Sequence, residues 1–221
     1  YTYNPAGDLL TQTDAKNQTL CFDYDSIGRP TFKRQRTGQD CTSATTLVSY
    51  FYDDLTISPF PKGRLTKVID QATTTKFVHD PMGRVTQTQR LFLGQWQTMA
   101  QSYGALNQIL TETFPDGETV TYNYNGAVWP QSVASSTSSN YINDVQYNAR
   151  GQRTDITYGN ALVSHFDYDP NRFRVTSRTT SGGYQSLGYG YDPVGNILTI
   201  ADNLPGGTAG RTFTYDDLNR L

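Results

Sequence analysis

A turn phrase led by an aromatic residue recurs along the whole chain and limits the folds open to it. The aromatic slot is filled ten times, at intervals of 21 to 28 residues. The slots are Tyr3, Tyr24, Tyr52, His79, Tyr103, Tyr124, Tyr147, Tyr168, Tyr191 and Tyr215. Because self-similarity at such a period is typical of stacked structural units, the chain is predicted to be a repeat array.

The residues that follow each slot favour a tight turn, most fully in Asp80-Pro81-Met82-Gly83. Asp or Asn at the first turn position accepts a backbone N–H, Pro at the second presets φ, and Gly at the fourth tolerates a positive φ. Each phrase therefore predicts the tip of a β-hairpin. The residues assigned to this structural repeat are Tyr3, Gly7, Tyr24, Asp25, Gly28, Tyr52, Asp53, Gly63, Asp80, Gly83, Tyr147, Gly151, Tyr168, Asp169, Tyr191, Asp192, Gly195, Tyr215 and Asp216.

The flanks of the turns have the pattern of β-strands. Aromatic residues stand two apart before the turn, as in Phe22 and Tyr24, and branched residues and Thr follow it, as in Arg84-Val85-Thr86. Further turn signals such as Gly182-Gly183 reverse the chain between phrases. The predicted fold class is all-β, an antiparallel meander of about ten hairpin units in a curved or spiralling sheet. If closed, roughly twenty strands would leave a space too wide for side chains to fill, which predicts part of a hollow shell.

Several units depart from the pattern. Asn107 and Asn219 replace the turn glycine, which Asn tolerates better than most residues do. Arg172 stands where Gly is expected, so one extra loop residue is predicted there. The third turn is long, from Asp53 to Gly63, and is expected to protrude. The sixth is expected to turn early, at Asn125-Gly126. Arginines that follow turns, expected to form a structural ladder, are Arg29, Arg64, Arg84, Arg153 and Arg220.

The repeated phrase F/Y-x-Y-D-x-x-G-R-L/V-T resembles the Rhs or YD-repeat family. That family includes bacterial Rhs toxins, the C component of tripartite insecticidal toxin complexes and the teneurins. The resemblance implies a long β-sheet wound into a hollow shell, which in the bacterial members encloses a toxic C-terminal segment. It covers residues 1–221, which we interpret as a single array truncated within a unit at both ends.

Two functions follow as hypotheses. In the first, the chain is a structural wall segment of a shell that encapsulates a toxic or effector polypeptide. Its partners would be the rest of the shell or a neighbouring repeat chain, and the enclosed polypeptide. In the second, the chain is an extracellular or cell-surface module that binds carbohydrate or a protein through aromatic rows. Trp96 and Trp129 would then stack on sugar rings, although both also fit packing within the sheet. A secreted or cell-surface location is expected for either function, and unfinished sheet edges predict self-association of the fragment.

Catalytic, metal, cofactor and nucleic-acid sites are not expected. A net charge of −2 without a basic run does not suit phosphate binding. The two histidines, His79 and His165, are too isolated for a metal site or a triad, and no apolar run approaches the ~18 residues of a membrane helix. Cys21 and Cys41 are twenty residues apart, and the sequence leaves open a disulfide or two free thiols.

Overall fold

The computed structural model describes residues 1–38, 41–207 and 210–220. Leu221, the last residue of the predicted array, lies outside the described residues. The chain divides into two compact units, Tyr1–Gly117 and Glu118–Leu221, and each contains part of the repeat array.

The first unit is a meander of ten strands. They are β1 (Thr2–Tyr3), β2 (Leu9–Thr13), β3 (Gln18–Tyr24), β4 (Pro30–Thr37), β5 (Thr45–Tyr52), β6 (Leu65–Asp70), β7 (Thr74–His79), β8 (Val85–Phe92), β9 (Gln95–Tyr103) and β10 (Ile109–Thr113). Each strand pairs antiparallel with the next along the chain.

The second unit repeats this plan with nine strands. They are β11 (Thr119–Tyr124), β12 (Pro130–Ser135), β13 (Ile142–Tyr147), β14 (Arg153–Tyr158), β15 (Val163–Tyr168), β16 (Val175–Thr180), β17 (Gln185–Tyr191), β18 (Ile197–Asp202) and β19 (Arg211–Thr212). Successive strands again pair antiparallel, and a 3₁₀ turn at Ser181–Gly183 joins β16 to β17. The predicted all-β antiparallel meander is confirmed.

In each unit the meander places every tyrosine-led turn at the same end of the strands, along one rim of the sheet that runs across all of them. We call this rim the tyrosine edge, formed by the turns after β1, β3, β5, β7 and β9 in the first unit, and after β11, β13, β15 and β17 together with 216–220 in the second. The connections between the other consecutive strands form the far edge. Seven of the nine strand-to-strand turns on the tyrosine edge have five residues, which shows that the phrase fixes the turn length.

A β-bulge follows every one of these nine turns at the same place. After the third tyrosine-led turn, Tyr52 pairs with Leu65 and Phe51 pairs with Lys67, so Thr66 has no partner residue on β5. Thr66 is fully buried and its Oγ1 donates to the Phe51 carbonyl at 3.0 Å. The equivalent bulge residues are Leu10, Thr31, Thr66, Thr86, Leu110, Gln131, Thr154, Thr176 and Leu198. A bulge increases the local twist of its strands, and five of these nine positions hold the Thr that ends the phrase.

Neither unit contains a dense apolar core. The apolar residues that are buried among those the structure describes are Cys21, Pro61, Val120, Val145 and Ile156. Most other strand residues are half-buried, whichever face they occupy. The stability of such a sheet depends on side-chain contacts between neighbouring strands. The repeated side chains of the tyrosine edge supply many of these contacts.

Candidate functional site

The turn after β3 shows how the phrase folds. Asp25 Oδ1 accepts the main-chain N–H groups of Ile27 (3.0 Å) and Arg29 (2.9 Å), and its Oδ2 accepts from Arg29 Nε at 2.6 Å. The Gly28 N–H donates to the Asp25 carbonyl at 3.1 Å, and Gly28 has a φ of 80°. The first, fourth and fifth turn residues therefore define the turn together.

The first and fifth turn residues form a side-chain pair in six of the turns. The pairs are Asn4 with Asp8, Asp25 with Arg29, Asp80 with Arg84, Asn148 with Gln152, Asp192 with Asn196 and Asp216 with Arg220. The Arg29 main-chain N–H and then its guanidinium lower the pKa of Asp25. At Asp80, burial alone would raise the pKa, but the Arg84 side chain and main-chain N–H outweigh it and the pKa is lowered. The carboxylates are thus held in their charged form.

Gln152 corrects one expectation about the arginine ladder. It occupies the fifth turn position and its Nε2 donates to the Phe173 carbonyl of the next turn at 2.7 Å. Arg153, which was expected in this position, is the first residue of β14 instead. Gln152 Oε1 also accepts from Asn148 Nδ2, in the first turn position, at 2.9 Å.

The hydroxyl of the repeat tyrosine joins each hairpin to the one before it. Tyr52 Oη donates to the Pro30 carbonyl at 2.9 Å, and Pro30 is the residue directly after the preceding turn. The same bond recurs as Tyr24 to Leu9, Tyr103 to Val85, Tyr147 to Pro130, Tyr168 to Arg153, Tyr191 to Val175 and Tyr215 to Ile197. Burial raises the pKa of the Tyr52 and Tyr191 hydroxyls, so they remain donors.

The last turn residue makes a second link, in the opposite direction along the chain. The Arg29 guanidinium lies over the Tyr52 ring at 4.3 Å and donates to Asp53 at 2.8 Å. Arg84 and Arg174 lie over Tyr103 and Tyr191 at 4.7 and 5.5 Å, and each donates to the carbonyl of the next turn's first residue, Gly104 or Asp192. The expected tyrosine and arginine ladder is therefore a set of contacts between consecutive hairpins.

The long third turn packs against His79 in the fourth slot. Ser58 in that turn is fully buried, and its Oγ accepts the main-chain N–H of His79 at 2.9 Å. The imidazole is 6% exposed, and its Nδ1 has no hydrogen-bond partner among the described residues. Burial, followed by the charge of Arg64, lowers the pKa of His79. The turn was expected to protrude. Leu55 and Phe60 are exposed, but Ser58 and Pro61 are buried, so this part of the turn packs back, with Ser58 bonded to β7 of the next hairpin.

The sixth turn does not turn early, so that expectation is wrong. It spans Asn125 to Trp129, and Asn125 Oδ1 accepts the N–H groups of Ala127 and Trp129 at 3.0 Å. Val128, with a φ of 63°, occupies the position that Gly fills elsewhere. Gly126 misled the interpretation because it stands one residue after Asn125, where no positive φ is needed. Left-handed Asn107, Phe173 and Asn219 fill the same role in other turns.

The two tryptophans lie in different units and different surroundings. Trp129 takes the fifth turn position and packs on Tyr147, with ring centroids 5.1 Å apart. A Cβ on Gly151 would lie only 2.7 Å from its indole, which makes glycine necessary there. Trp96, on β9, is 42% exposed and has the Lys76 ammonium 4.3 Å from its ring centroid. Each tryptophan is thus in contact with a side chain of its own unit.

Cys21 and Cys41 are joined by a disulfide, with Cα atoms 6.0 Å apart. Cys21 lies on β3 and is 3% exposed, and Cys41 lies in the far-edge connection between β4 and β5. The bond fastens that connection to the sheet.

His165 belongs to a row of polar side chains on β14 to β16. Its Nδ1 lies 2.7 Å from Asp155 Oδ1 and its Nε2 lies 3.1 Å from Asp167 Oδ1. Hydrogen bonding to Asp155, and then to Asp167, raises the pKa of His165. Ser177 donates to Asp167 and not to the imidazole, so the row does not have the order of a catalytic triad. Within 1–38, 41–207 and 210–220 no cluster of three metal-ligating side chains occurs. The described residues likewise include no helix of the length and apolarity needed to cross a membrane.

Comparison with known proteins gives a likeness of fold. No protein-family model matches the sequence, and no curated protein matches it. The crystal structure of TcdB2-TccC3-Cdc42 matches 98% of this chain with a TM-score of 0.81 at 20% identity. TcdB2-TccC3 matches 96% with a TM-score of 0.83 at 20% identity, and the Tc holotoxin pore of Photorhabdus luminescens matches 98% with 0.81 at 19%.

The chain spans 12% of the length of each of these solved chains. Within that span, the likeness extends over nearly all of the strands described above. The resemblance to Rhs or YD-repeat proteins noted from the sequence is therefore confirmed at the level of the fold.

Proposed function

We propose that this chain is a wall segment of an Rhs-type shell that encloses a toxic or effector polypeptide. The observation that carries the proposal is the likeness of 98% of the chain to a segment of the TcdB2-TccC3-Cdc42 complex. One related crystal structure is described as TcdB2-TccC3 without its hypervariable C-terminal region. A variable segment next to a regular wall is the arrangement expected where one container accepts different cargoes.

The wall acts by steric exclusion and needs no catalytic group. A sheet in which every strand pairs with the next has no gap for a polypeptide, because neighbouring strands are only about 4.8 Å apart. The tyrosine hydroxyl bonds and arginine contacts between hairpins oppose separation of the strands at one edge. Its partners would be the rest of the shell and the enclosed polypeptide.

Limited proteolysis of the complete natural polypeptide that contains this chain tests containment. We expect segments outside the repeat array to resist protease while the array is folded, and to be cut once denaturant unfolds it. The same segments expressed alone are the control and should be cut without denaturant. Equal cleavage rates in the folded protein and in the isolated segments would exclude containment.

We also place the protein outside the reducing cytosol, secreted or at the cell surface. The Cys21–Cys41 disulfide supports this location, because such bonds persist in oxidising compartments. Alkylation of the native protein without reductant tests it, and labelling of both thiols would contradict it.

Glycan recognition is the weaker alternative. Its one supporting observation is the exposed indole of Trp96, and Lys76 already lies over that ring. Trp129 is engaged with Tyr147 and offers no free face for a sugar row. Titration of Trp fluorescence with polysaccharides, with Trp96→Ala as the control, would reveal such binding.

A further inference from the structure

Bulky aliphatic side chains occupy the third turn position in four successive turns of the first unit's tyrosine edge. They are Ile27, Leu55, Met82 and Leu106, which are 71%, 74%, 69% and 70% exposed. We call these four residues the aliphatic row. They are among the most exposed large apolar residues of the chain, although they recur at one position of one motif.

The turns themselves do not need these side chains. Hydrogen bonds that define the turn after β3 use the side chain of Asp25, the main chain of Gly28 and both parts of Arg29. Ile27 contributes only its N–H, which nearly any residue would supply. A contiguous set of exposed apolar side chains is a mark of an interaction site. The row therefore has a role outside its own turns.

A pocket of about 540 Å³ opens beside the row, at the long third turn. Its apolar walls are Leu55, Pro59, Phe60, Pro61 and Pro81. Phe60 is 45% exposed at its rim. The first unit thus presents both projecting aliphatic side chains and an apolar recess that can receive one.

We propose that the aliphatic row is a docking surface for a second tyrosine edge, which a second copy of this chain supplies in solution. The tips repeat every two strands, or about 9.6 Å, so a partner that meets all four must repeat at that spacing. A two-fold arrangement sets Ile27 against Leu106 of the second copy and Leu55 against its Met82. The pocket beside Leu55 then receives Met82 of the second copy.

Charge and turn length both favour this occupant. The turn carboxylates Asp25 and Asp80 are paired with Arg29 and Arg84 at 2.6 Å, so they do not repel a second edge as unpaired carboxylates would. Four of the five tyrosine-edge turns of the first unit have five residues and the third has twelve, whereas its far-edge connections range from two residues between β8 and β9 to seven between β4 and β5. The tyrosine edge therefore offers the more regular row of tips. This contact joins arrays to each other and does not depend on containment of a cargo.

Sedimentation velocity over a dilution series tests the proposal, with the double variant Ile27→Asp/Leu106→Asp. Asp is acceptable in this turn, and circular dichroism checks that the fold is kept. We expect the native chain to self-associate and the variant to do so at least tenfold more weakly. The matched control is Val194→Asp/Leu218→Asp, which changes two residues at the same turn position of the second unit, both 71% exposed. The control should associate as the native chain does.

Cross-linking gives an independent readout that keeps the native charges. A mixture of the Met82→Cys and Leu55→Cys variants should form a disulfide-linked heterodimer, because the chain has no free cysteine among its described residues to compete. Tyr184→Cys, at an exposed far-edge position, should not join to Met82→Cys. A native chain that stays monomeric at the highest concentration, equal weakening by both double variants, or preferred cross-linking to position 184 would overturn the proposal.

Discussion

The tyrosine edge and the far edge of the sheet are stabilised by different means. On the tyrosine edge, seven of nine turns have five residues, and the same tyrosine, turn and bulge contacts recur from hairpin to hairpin. The far-edge connections vary from two to seven residues in the first unit and from four to eight in the second. Asp14 and Asp70 accept turn N–H groups there as Asp25 does, but the tyrosine-to-carbonyl bond between hairpins does not recur among the described residues of the far edge. The first unit instead fastens one far-edge connection with the Cys21–Cys41 disulfide.

This difference indicates a division of roles. Repeated bonds at one edge set the spacing and twist of the hairpins, because each hairpin contacts the next in the same way. The far edge is then free to vary in length and sequence, and a covalent link replaces repeated contacts where a connection is long. The following predictions change one edge at a time, beginning with the largest expected effect.

Loss of the disulfide should be the most destabilising change at the far edge. The bond closes a loop with a sequence separation of 20. Its removal by Cys21→Ser/Cys41→Ser should lower the free energy of unfolding by about 3 kcal/mol, since the unfolded chain regains that loop's freedom. Urea unfolding measures the loss. Reductant should destabilise the native protein to a similar degree and leave the variant unchanged; an effect of reductant on the variant would contradict this cause.

Removal of one repeat hydroxyl should have a smaller effect at the tyrosine edge. Tyr52→Phe and Tyr191→Phe should each lower the free energy of unfolding by about 1 kcal/mol, because the Pro30 or Val175 carbonyl loses its donor. Thermal unfolding of each variant measures the change. Tyr3→Phe is the control, since the Tyr3 hydroxyl has no hydrogen-bond partner among the described residues. Equal losses at all three tyrosines would show that the carbonyl bonds are not the cause.

Relief of a strained turn should be slightly stabilising. Val128 is a β-branched residue with a φ of 63°, a conformation that glycine adopts without a steric penalty. Val128→Gly should raise the free energy of unfolding by about 0.5 kcal/mol. Relief of the strain stabilises the folded chain, and the greater conformational entropy of glycine in the unfolded chain offsets part of that gain. Val194→Gly is the matched control, because Val194 precedes the left-handed Gly195 and carries no such strain. It should be neutral or destabilising, and a stabilising effect of equal size would contradict the strain argument.

The two histidines should give small pH effects of opposite sign. The pKa of His79 is lowered, so its neutral form favours folding above the unfolded value of about 6.5, and stability is lost as pH falls from there through the folded pKa. The pKa of His165 is raised, so its stabilisation is complete below about 6.5 and is lost as pH rises through the folded pKa. NMR titration of the two imidazoles measures both values.

Unfolding of His79→Gln and His165→Gln between pH 5 and 8 (roughly the range in which histidine titrates) completes this test. The stability of His79→Gln should fall less on acidification than that of the native chain. The stability of His165→Gln should fall less on alkalinisation. The same pH dependence in both variants would contradict the assignment.

Much of the fold could be predicted because turn chemistry is local. The Asp, Pro and Gly residues at 80–83 each favour the backbone angles of one turn position, so they predict the turn. The alternating pattern of the flanking residues predicts the strands that the turns connect. The sixth turn was misread because Gly126 is a stronger signal in sequence than Val128, while the Asn125 hydrogen bonds that decide the register are visible only in three dimensions.

Contacts between hairpins could not be predicted from spacing alone. The sequence places a tyrosine and an arginine in each phrase, but the identity of the carbonyl that each reaches depends on the bulge at residues such as Thr66. The packing of the long third turn against His79 could not be predicted either, because Ser58 reaches a main-chain N–H, which no residue type in the slot would reveal.

Hydrogen exchange, followed by mass spectrometry on the native chain, tests most directly whether the tyrosine edge holds the hairpins together. The amides to compare are those that close the turns, such as Gly28 and Gly83 on the tyrosine edge and Asn17 and Ala161 on the far edge. We expect far-edge amides to exchange first and tyrosine-edge amides to exchange at least tenfold more slowly. In Tyr52→Phe, the tyrosine-edge amides nearest to residue 52 should lose that protection. Equal protection of the two edges, or earlier exchange at the tyrosine edge, would contradict this expectation.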